Sequence, residues 1–364
     1  MRRELAEGNR SLFSRELTGQ LLAATEKGNQ AMILLNRRGY SGFVLCRDCG
    51  YVVRCRTCSV SMTSHTRQPG PGRGDAAAGV RQEPGSARPM EQLICHYCGR
   101  IAAIPSACPA CGSRRIGRFG AGTQQVEELF HREFPGLTTL RMDQDTTVGR
   151  LSHSDILDRF INREADVLIG TQMIAKGHDI PNVTVVGILS ADLMLGLSDF
   201  RASERAFSLI TQAAGRAGRG DMPGTVIIQA YNIDDFAIRC AAAQDYAAFY
   251  QEEAAFRKLM RYPPFGAVAA ITLAGPSERT VHERIVTLHA MLGARKTAEP
   301  AFTSVELFDP ARAPIFRIRE QYRWRLVIKG KGPDQLAAFL APVVDHFDFQ
   351  RLSRSVDIDP YQLM

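Results

Sequence analysis

Two short signatures of nucleotide hydrolysis are missing from this sequence of 364 residues. It has no Gly-Lys-Ser or Gly-Lys-Thr to end a glycine-rich phosphate loop, and no Asp-Glu dipeptide to serve a magnesium ion. Their absence excludes NTP hydrolysis of the P-loop type by this chain alone. No apolar run approaches the length of a membrane span, and the opening MRRELAEGNRSLFSREL has neither the apolar core nor the small-residue cleavage site of a secretory leader. A cytoplasmic protein is therefore expected. Tryptophan is nearly absent, Trp324 being the only one.

What remains is ordinary globular composition, with 45% hydrophobic and 23% charged residues. The length exceeds what one hydrophobic core usually takes, so two or three domains are expected. A formal net charge of +7 favours an acidic partner, nucleic acid being the commonest.

Cysteine is the informative residue. Of nine, eight stand as four C-x-x-C pairs: Cys46/Cys49, Cys55/Cys58, Cys95/Cys98 and Cys108/Cys111. In a reducing cytosol this spacing indicates metal chemistry rather than disulfides. Two thiolates three positions apart reach one tetrahedral ion, so each pair is half of a site and four pairs predict two structural zinc ions. Every ligand position is cysteine, which leaves no open position for substrate. Sequential, nested and interleaved pairings all fit the spacing. Between the second and third pairs, residues 66–91 are rich in Gly, Pro and Ala and are expected to be disordered. Cys240, on an alanine-rich helix, reads as a small buried residue.

Around the cluster the pattern is β/α alternation. A helix near Leu17 to Lys27 ends at Gly28, and residues 30–36 read as a buried strand. After Cys111 come a Gly-rich loop and helix (GAGTQQVEELFHREFPG), a strand (TTLRMD), a helix (SDILDRFINREA), two strands (DVLIGT and VTVVGILSAD), a helix (RASERAFSLITQAAGRAG) and a strand (GTVIIQAY). Alternation at this spacing predicts a parallel sheet covered by helices on both faces, with the cysteine module inserted into it. A helical stretch leads to Pro263 and Pro264, where a small α+β domain is expected to begin. Within it, FRIREQYRWRLVIKGKG gathers arginines around Trp324. Strand alternation puts Tyr322, Trp324 and Leu326 on one face and Arg323 and Arg325 on the other. Arg323, Trp324 and Arg325 are either a DNA-binding surface of phosphate contacts with base stacking, or arginines in water over a core tryptophan.

GTQMIAKGHDIPNV (170–183) resembles motif V, and QAAGRAGRG (212–220) motif VI, of superfamily 2 helicases. With NRRGY, the four cysteine pairs, GAGTQQ, MDQDTT and RYPPF, they make a set similar to the PriA family of replication-restart helicases, across nearly the whole chain. The resemblance implies a RecA-like second helicase lobe starting in residues 1–45, an inserted zinc module at 46–118, the remainder of the lobe at 119–235, a helical linker at 236–262 and a DNA-binding C-terminal domain at 263–364. It implies that Thr171 contacts a DNA phosphate and that Asp179, with Gly177 in the same loop, lies near the nucleotide; helix capping is the plain alternative for Thr171. Thr123 faces the same choice. A helix carrying Gln212, Arg216 and Arg219 would offer arginine fingers to a transferring phosphoryl group.

The family's activity is ATP-dependent 3′-to-5′ DNA unwinding at abandoned forks with primosome assembly. Its partners are branched and single-stranded DNA, primosome proteins and single-stranded-DNA-binding protein, and it acts in the nucleoid, as a monomer. ATP and Mg²⁺ would be used only together with a first motor lobe. A motorless zinc-containing scaffold that recruits primosome proteins is the alternative expectation.

Overall fold

A computed structural model of the chain describes residues 1–35, 43–58, 60–67, 90–119, 123–143, 153–175, 180–197, 199–218, 222–361 and 363. They form two compact units. The first comprises Met1–Tyr40, Leu45–Val52 and Ala107–Phe256; the second comprises Ser41–Val44, Val53–Ser106 and Arg257–Met364.

The first unit is built on a parallel five-stranded sheet in the order Thr225–Ile228, Val183–Leu189, Gln30–Leu35, Val167–Gly170, Thr139–Met142. The three central strands are buried along their whole length, which is why they read as unbroken apolar runs. Successive side chains feed two cores on opposite faces. Met32, Leu34, Leu168, Val186 and Ile188 pack with Phe160, Phe207 and Ile210. Ala31, Ile33, Leu35, Val167 and Ile169 pack with Leu17, Leu21, Val126 and Phe130. Helices therefore cover both faces, as the sequence pattern predicts.

Local chemistry sets the ends of these helices. The Ser14 side chain accepts from Leu17 N to start Arg15–Glu26, and Gly28, at φ +73, turns the chain into the first strand. The expected linker helix is instead two helices, Phe236–Ala242 and Tyr246–Met260, interrupted where Gln244 takes φ +53.

In the second unit an antiparallel sheet runs Glu306–Leu307, Gln321–Gly330, Ala267–Gly275, Ser353–Ile358, and Ala311–Ile318 also pairs with Gln321–Gly330. Helices Glu278–Ala298 and Pro333–His346 pack on one face through Ile285, Leu288, Leu336 and Phe339 against Ala269, Ile271, Leu326 and Ile328. The same unit holds the inner part of the cysteine module, where Thr63–Arg67 pairs with Met90–Ile94 and the latter with Ile101–Ala103. Residues 66–67 and 90–91 are thus paired strand, not part of a disordered loop; residues 68–89 lie outside the described residues. The boundary between units also divides the cysteine module instead of leaving it whole inside the lobe.

Candidate metal centres and the loops of the parallel sheet

The eight paired cysteines gather into two clusters: Cys46, Cys49, Cys108 and Cys111 in one, Cys55, Cys58, Cys95 and Cys98 in the other, with the sulfurs of each cluster all within 4.8 Å of one another. The pairing is nested, the first pair with the fourth and the second with the third. Sγ to Sγ separations are 3.7 Å for Cys46 to Cys111, 3.5 Å for Cys49 to Cys108 and 3.6 Å for Cys55 to Cys98. Four thiolates at 2.3 Å from a central zinc would stand about 3.8 Å apart, so the spacing fits a tetrahedral ion. Sulfurs this close cannot all ionise unaided: burial pushes the Cys49 thiol up to about 12, and the Cys55 thiol is the leading cause that raises Cys58. A divalent cation removes that penalty by taking the thiolates as ligands.

Three of the four pairs continue as C-x-x-C-G, a signal that spacing alone overlooks. Gly50, Gly99 and Gly112 have φ of +74, +70 and +71, and each donates its amide to the carbonyl of the first cysteine, at 2.8 to 2.9 Å. That conformation strains any other residue. In the outer cluster Asp48 bridges the two halves, accepting from the Ser113 hydroxyl and pairing with Arg115 at 2.7 Å. The Ser113 bond, followed by Arg115, holds its carboxyl below the usual range. A Cβ on Gly50 would lie 2.4 Å from that of Asn232, whose amide and that of Tyr231 are bonded by the fully buried carboxylate of Asp192 at 2.9 and 2.7 Å.

Different neighbours support the inner cluster. Tyr262 donates its hydroxyl to Cys58 O at 2.9 Å, and Lys329 lies 3.7 Å from the centre of the Tyr262 ring. Arg325, 4% exposed, donates to His96 O at 2.9 Å and to Leu363 O. His96 Nδ1 meets Arg312 O at 2.8 Å.

In the parallel sheet, Gly170 ends a strand where a Cβ would meet Met142 O at 2.6 Å, and Thr171 follows, half-buried, its carbonyl accepting from Ile174 N at 3.0 Å. Helix Ala202–Ala214 begins after Asp199, whose buried carboxylate accepts from Arg201 N at 3.0 Å and pairs with Arg205 at 3.1 Å, one residue from the start expected at Arg201. Gln212 is exposed on the last turn of this helix.

The expectation of one helix carrying Gln212, Arg216 and Arg219 is corrected. Gly215 caps the helix, and Arg216 lies in the following turn, its Nε donating to Ala175 O at 3.0 Å. Gly218, at φ +71 and with Gly224 N 2.3 Å from any Cβ, fixes that turn, and its amide donates to Val183 O at 3.0 Å. Motifs V and VI are thus joined through Arg216. Arg219, Gly177 and Asp179 lie outside the described residues.

Two further expectations change. Thr123 is fully buried and its hydroxyl donates to the Asp143 carboxylate, so it is engaged inside the fold instead of facing a phosphate. Arg325 is an internal clamp, not a solvent-facing contact, because its strand face at that point is covered. Trp324 is half-buried, packed on the core of the C-terminal unit with its ring 4.3 Å from that of His282, while Arg323 is half-buried with Nη1 3.4 Å from Ile315 O. Cys240, 4% exposed, sits in the core as read from sequence.

A parallel sheet with helices on both faces, motif V and VI loops at its strand ends and two cysteine clusters define the RecA-like second lobe of a helicase motor. Residues 113–221 match the helicase conserved C-terminal domain, and residues 258–361 match the primosomal protein N C-terminal domain. Replication restart protein PriA of Bacillus subtilis (strain 168) is 42% identical over 368 residues, an alignment covering 100% of this chain and 42% of that protein. The PriA of Synechocystis is 40% identical (90% and 37%) and that of Treponema pallidum 35% identical (97% and 50%). The chain belongs to the PriA family of replication restart proteins, consistent with the C-terminal portion of PriA. It spans 37% to 50% of the length of these curated relatives.

Proposed function

We propose that this chain is the second-lobe, zinc and DNA-binding portion of an ATP-dependent 3′-to-5′ DNA helicase that binds stalled or abandoned replication forks and promotes primosome assembly. The observation that carries this reading is the 42% identity to a replication restart protein across the whole chain. The link from Arg216 to the motif V turn at Ala175 supports it, because it holds that arginine at the strand ends where nucleotide-dependent motors work. In this reading Gln212, Arg216 and Arg219 complete an ATP site whose phosphate loop and Mg²⁺ ligands belong to a first motor lobe, Asp179 and Gly177 lie beside the nucleotide, and Thr171 takes a DNA phosphate.

The two clusters hold zinc, which stiffens the module and leaves no position for substrate. Branched and single-stranded DNA, primosome proteins and single-stranded-DNA-binding protein are the partners, and the protein acts as a cytoplasmic, nucleoid-associated monomer. Among the described residues no helix is long and apolar enough to cross a membrane.

The test is ATP turnover and unwinding of a fork with a 3′ arm. The chain alone should show neither. The chain joined to a first motor lobe of this family should show both, and failure of the joined protein to unwind would overturn the reading.

A further inference from the structure

The hairpin Ala311–Ile318 and Gln321–Gly330 departs from a regular pair. Arg312 faces Trp324 and Arg317 faces Tyr322, so four residues on one strand stand opposite a single residue, Arg323, on the other. Within the bulge the half-buried Phe316 meets Tyr322, with ring centres 5.5 Å apart. Two exposed arginines lie on these rings: the Arg312 guanidinium is 4.4 Å from the centre of Phe316, and that of Arg317 is 5.0 Å from the centre of Tyr322.

Each guanidinium is also gripped from one edge by a carboxylate, Arg312 by Glu278 at 2.7 Å and Arg317 by Glu320. A ring below and a carboxylate at the edge restrict a group that otherwise swings freely, so part of the rotamer entropy is already spent before any ligand arrives. A free surface arginine needs no such double support. What a flat, immobilised, exposed guanidinium offers is a stacking platform for a planar ring that carries nearby negative charge. Arg319 at the exposed hairpin tip and Arg323 stand beside the platforms to meet that charge.

We propose that this bulged hairpin is a single-stranded-DNA contact, in which unpaired bases stack on the guanidinium planes of Arg312 and Arg317 while Arg319 and Arg323 meet phosphates. It rests on the reading of the C-terminal unit as DNA-binding and names the element and the strand state recognised. Duplex DNA cannot use the platforms, because its bases are stacked on one another. Trp324, turned into the core, takes no base.

The experiment is fluorescence anisotropy of the full 364-residue chain with a labelled oligothymidylate of about 20 nucleotides, across a salt series, with a duplex of equal length as control. Arg312→Lys/Arg317→Lys keeps both charges and removes both planes. It should lower affinity for the single strand about tenfold or more, leave the salt slope unchanged and leave duplex binding unchanged. Glu320→Gln, which frees Arg317, should also weaken single-strand binding, whereas a purely electrostatic patch would bind more tightly. Arg319→Ala/Arg323→Ala should reduce the salt slope by roughly 1.4.

Circular dichroism and a metal content equal to the parent's confirm that each variant folds. Single-strand binding by the lysine variant within twofold of the parent overturns the proposal. If the parent chain binds neither probe, the DNA-binding reading of the C-terminal unit falls as well.

Discussion

Replacing Arg325 by leucine separates an internal clamp from a DNA contact. The buried guanidinium donates to His96 O, between two cysteines of the inner cluster, and to Leu363 O near the end of the chain. A hydrogen bond from a charged donor contributes roughly 1.5–3 kcal/mol, and a buried carbonyl left without its donor costs roughly 1–3 kcal/mol. Losing two such bonds removes roughly 3–6 kcal/mol. Leucine returns roughly 1–2 kcal/mol of this through apolar burial and release of a desolvated cation. The net destabilisation is about 2–4 kcal/mol, felt by the C-terminal unit. Trp324, the only tryptophan, lies in that unit, so its fluorescence during urea unfolding reports on the right part of the molecule. With a slope of roughly 1–3 kcal/mol per molar, the midpoint should fall by about 1–2 M. Arg325→Lys, which keeps the charge but not the fork, should fall between. A midpoint unchanged to within about 0.2 M, combined with a loss of DNA affinity, would refute the clamp and restore the solvent-facing reading.

Three other outcomes follow from the geometry. The nested pairing predicts that Cys46→Ser/Cys108→Ser damages one site only, so zinc measured by plasma mass spectrometry should fall from two ions to one per chain, whereas a sequential pairing would lose both. Burial raises the carboxyl of Asp192 above its ordinary value, despite the amides of Tyr231 and Asn232. The folded chain therefore holds this proton more tightly than the unfolded one, and the associated stability is complete below about pH 4 and is lost as pH rises through the raised folded value. Asp192→Asn should abolish that part of the decline in urea unfolding followed by circular dichroism; an unaltered pH profile would show that Asp192 does not cause it. In the chain joined to a first motor lobe, Arg216→Ala should cut DNA-stimulated ATP turnover by about 10³-fold with metal content intact, and turnover within tenfold of the parent would remove Arg216 from the site.

The parallel sheet was legible because its central strands are buried on both faces, so their sequences are apolar without interruption. The two clusters were legible because C-x-x-C spacing suits two ligands of one ion, yet their pairing was not, since it depends on how the chain folds back between Cys58 and Cys95. The end of helix Ala202–Ala214 was misread because periodicity continues through Arg216, while Gly215 and Gly218, tolerated in a helical pattern, in fact set a turn packed on Gly224. Arg325 shows a different limit. Alternation correctly opposed it to Trp324, but what covers that face is the carbonyl of His96, 229 positions earlier in the chain, and no local pattern encodes such a neighbour.

Nesting the two clusters makes the cysteine module a pair of concentric clasps. The outer clasp returns the chain, after a 66-residue excursion from Cys46 to Cys111, to the place it left, so the parallel sheet can be assembled as if the excursion were a short turn. The inner clasp does the same for whatever lies between Cys58 and Cys95. Lengthening that segment costs only about 0.6 kcal/mol per doubling once its ends are held. Relatives can therefore vary it freely, and a reporter or affinity domain grafted there should leave both clasps and the sheet undisturbed.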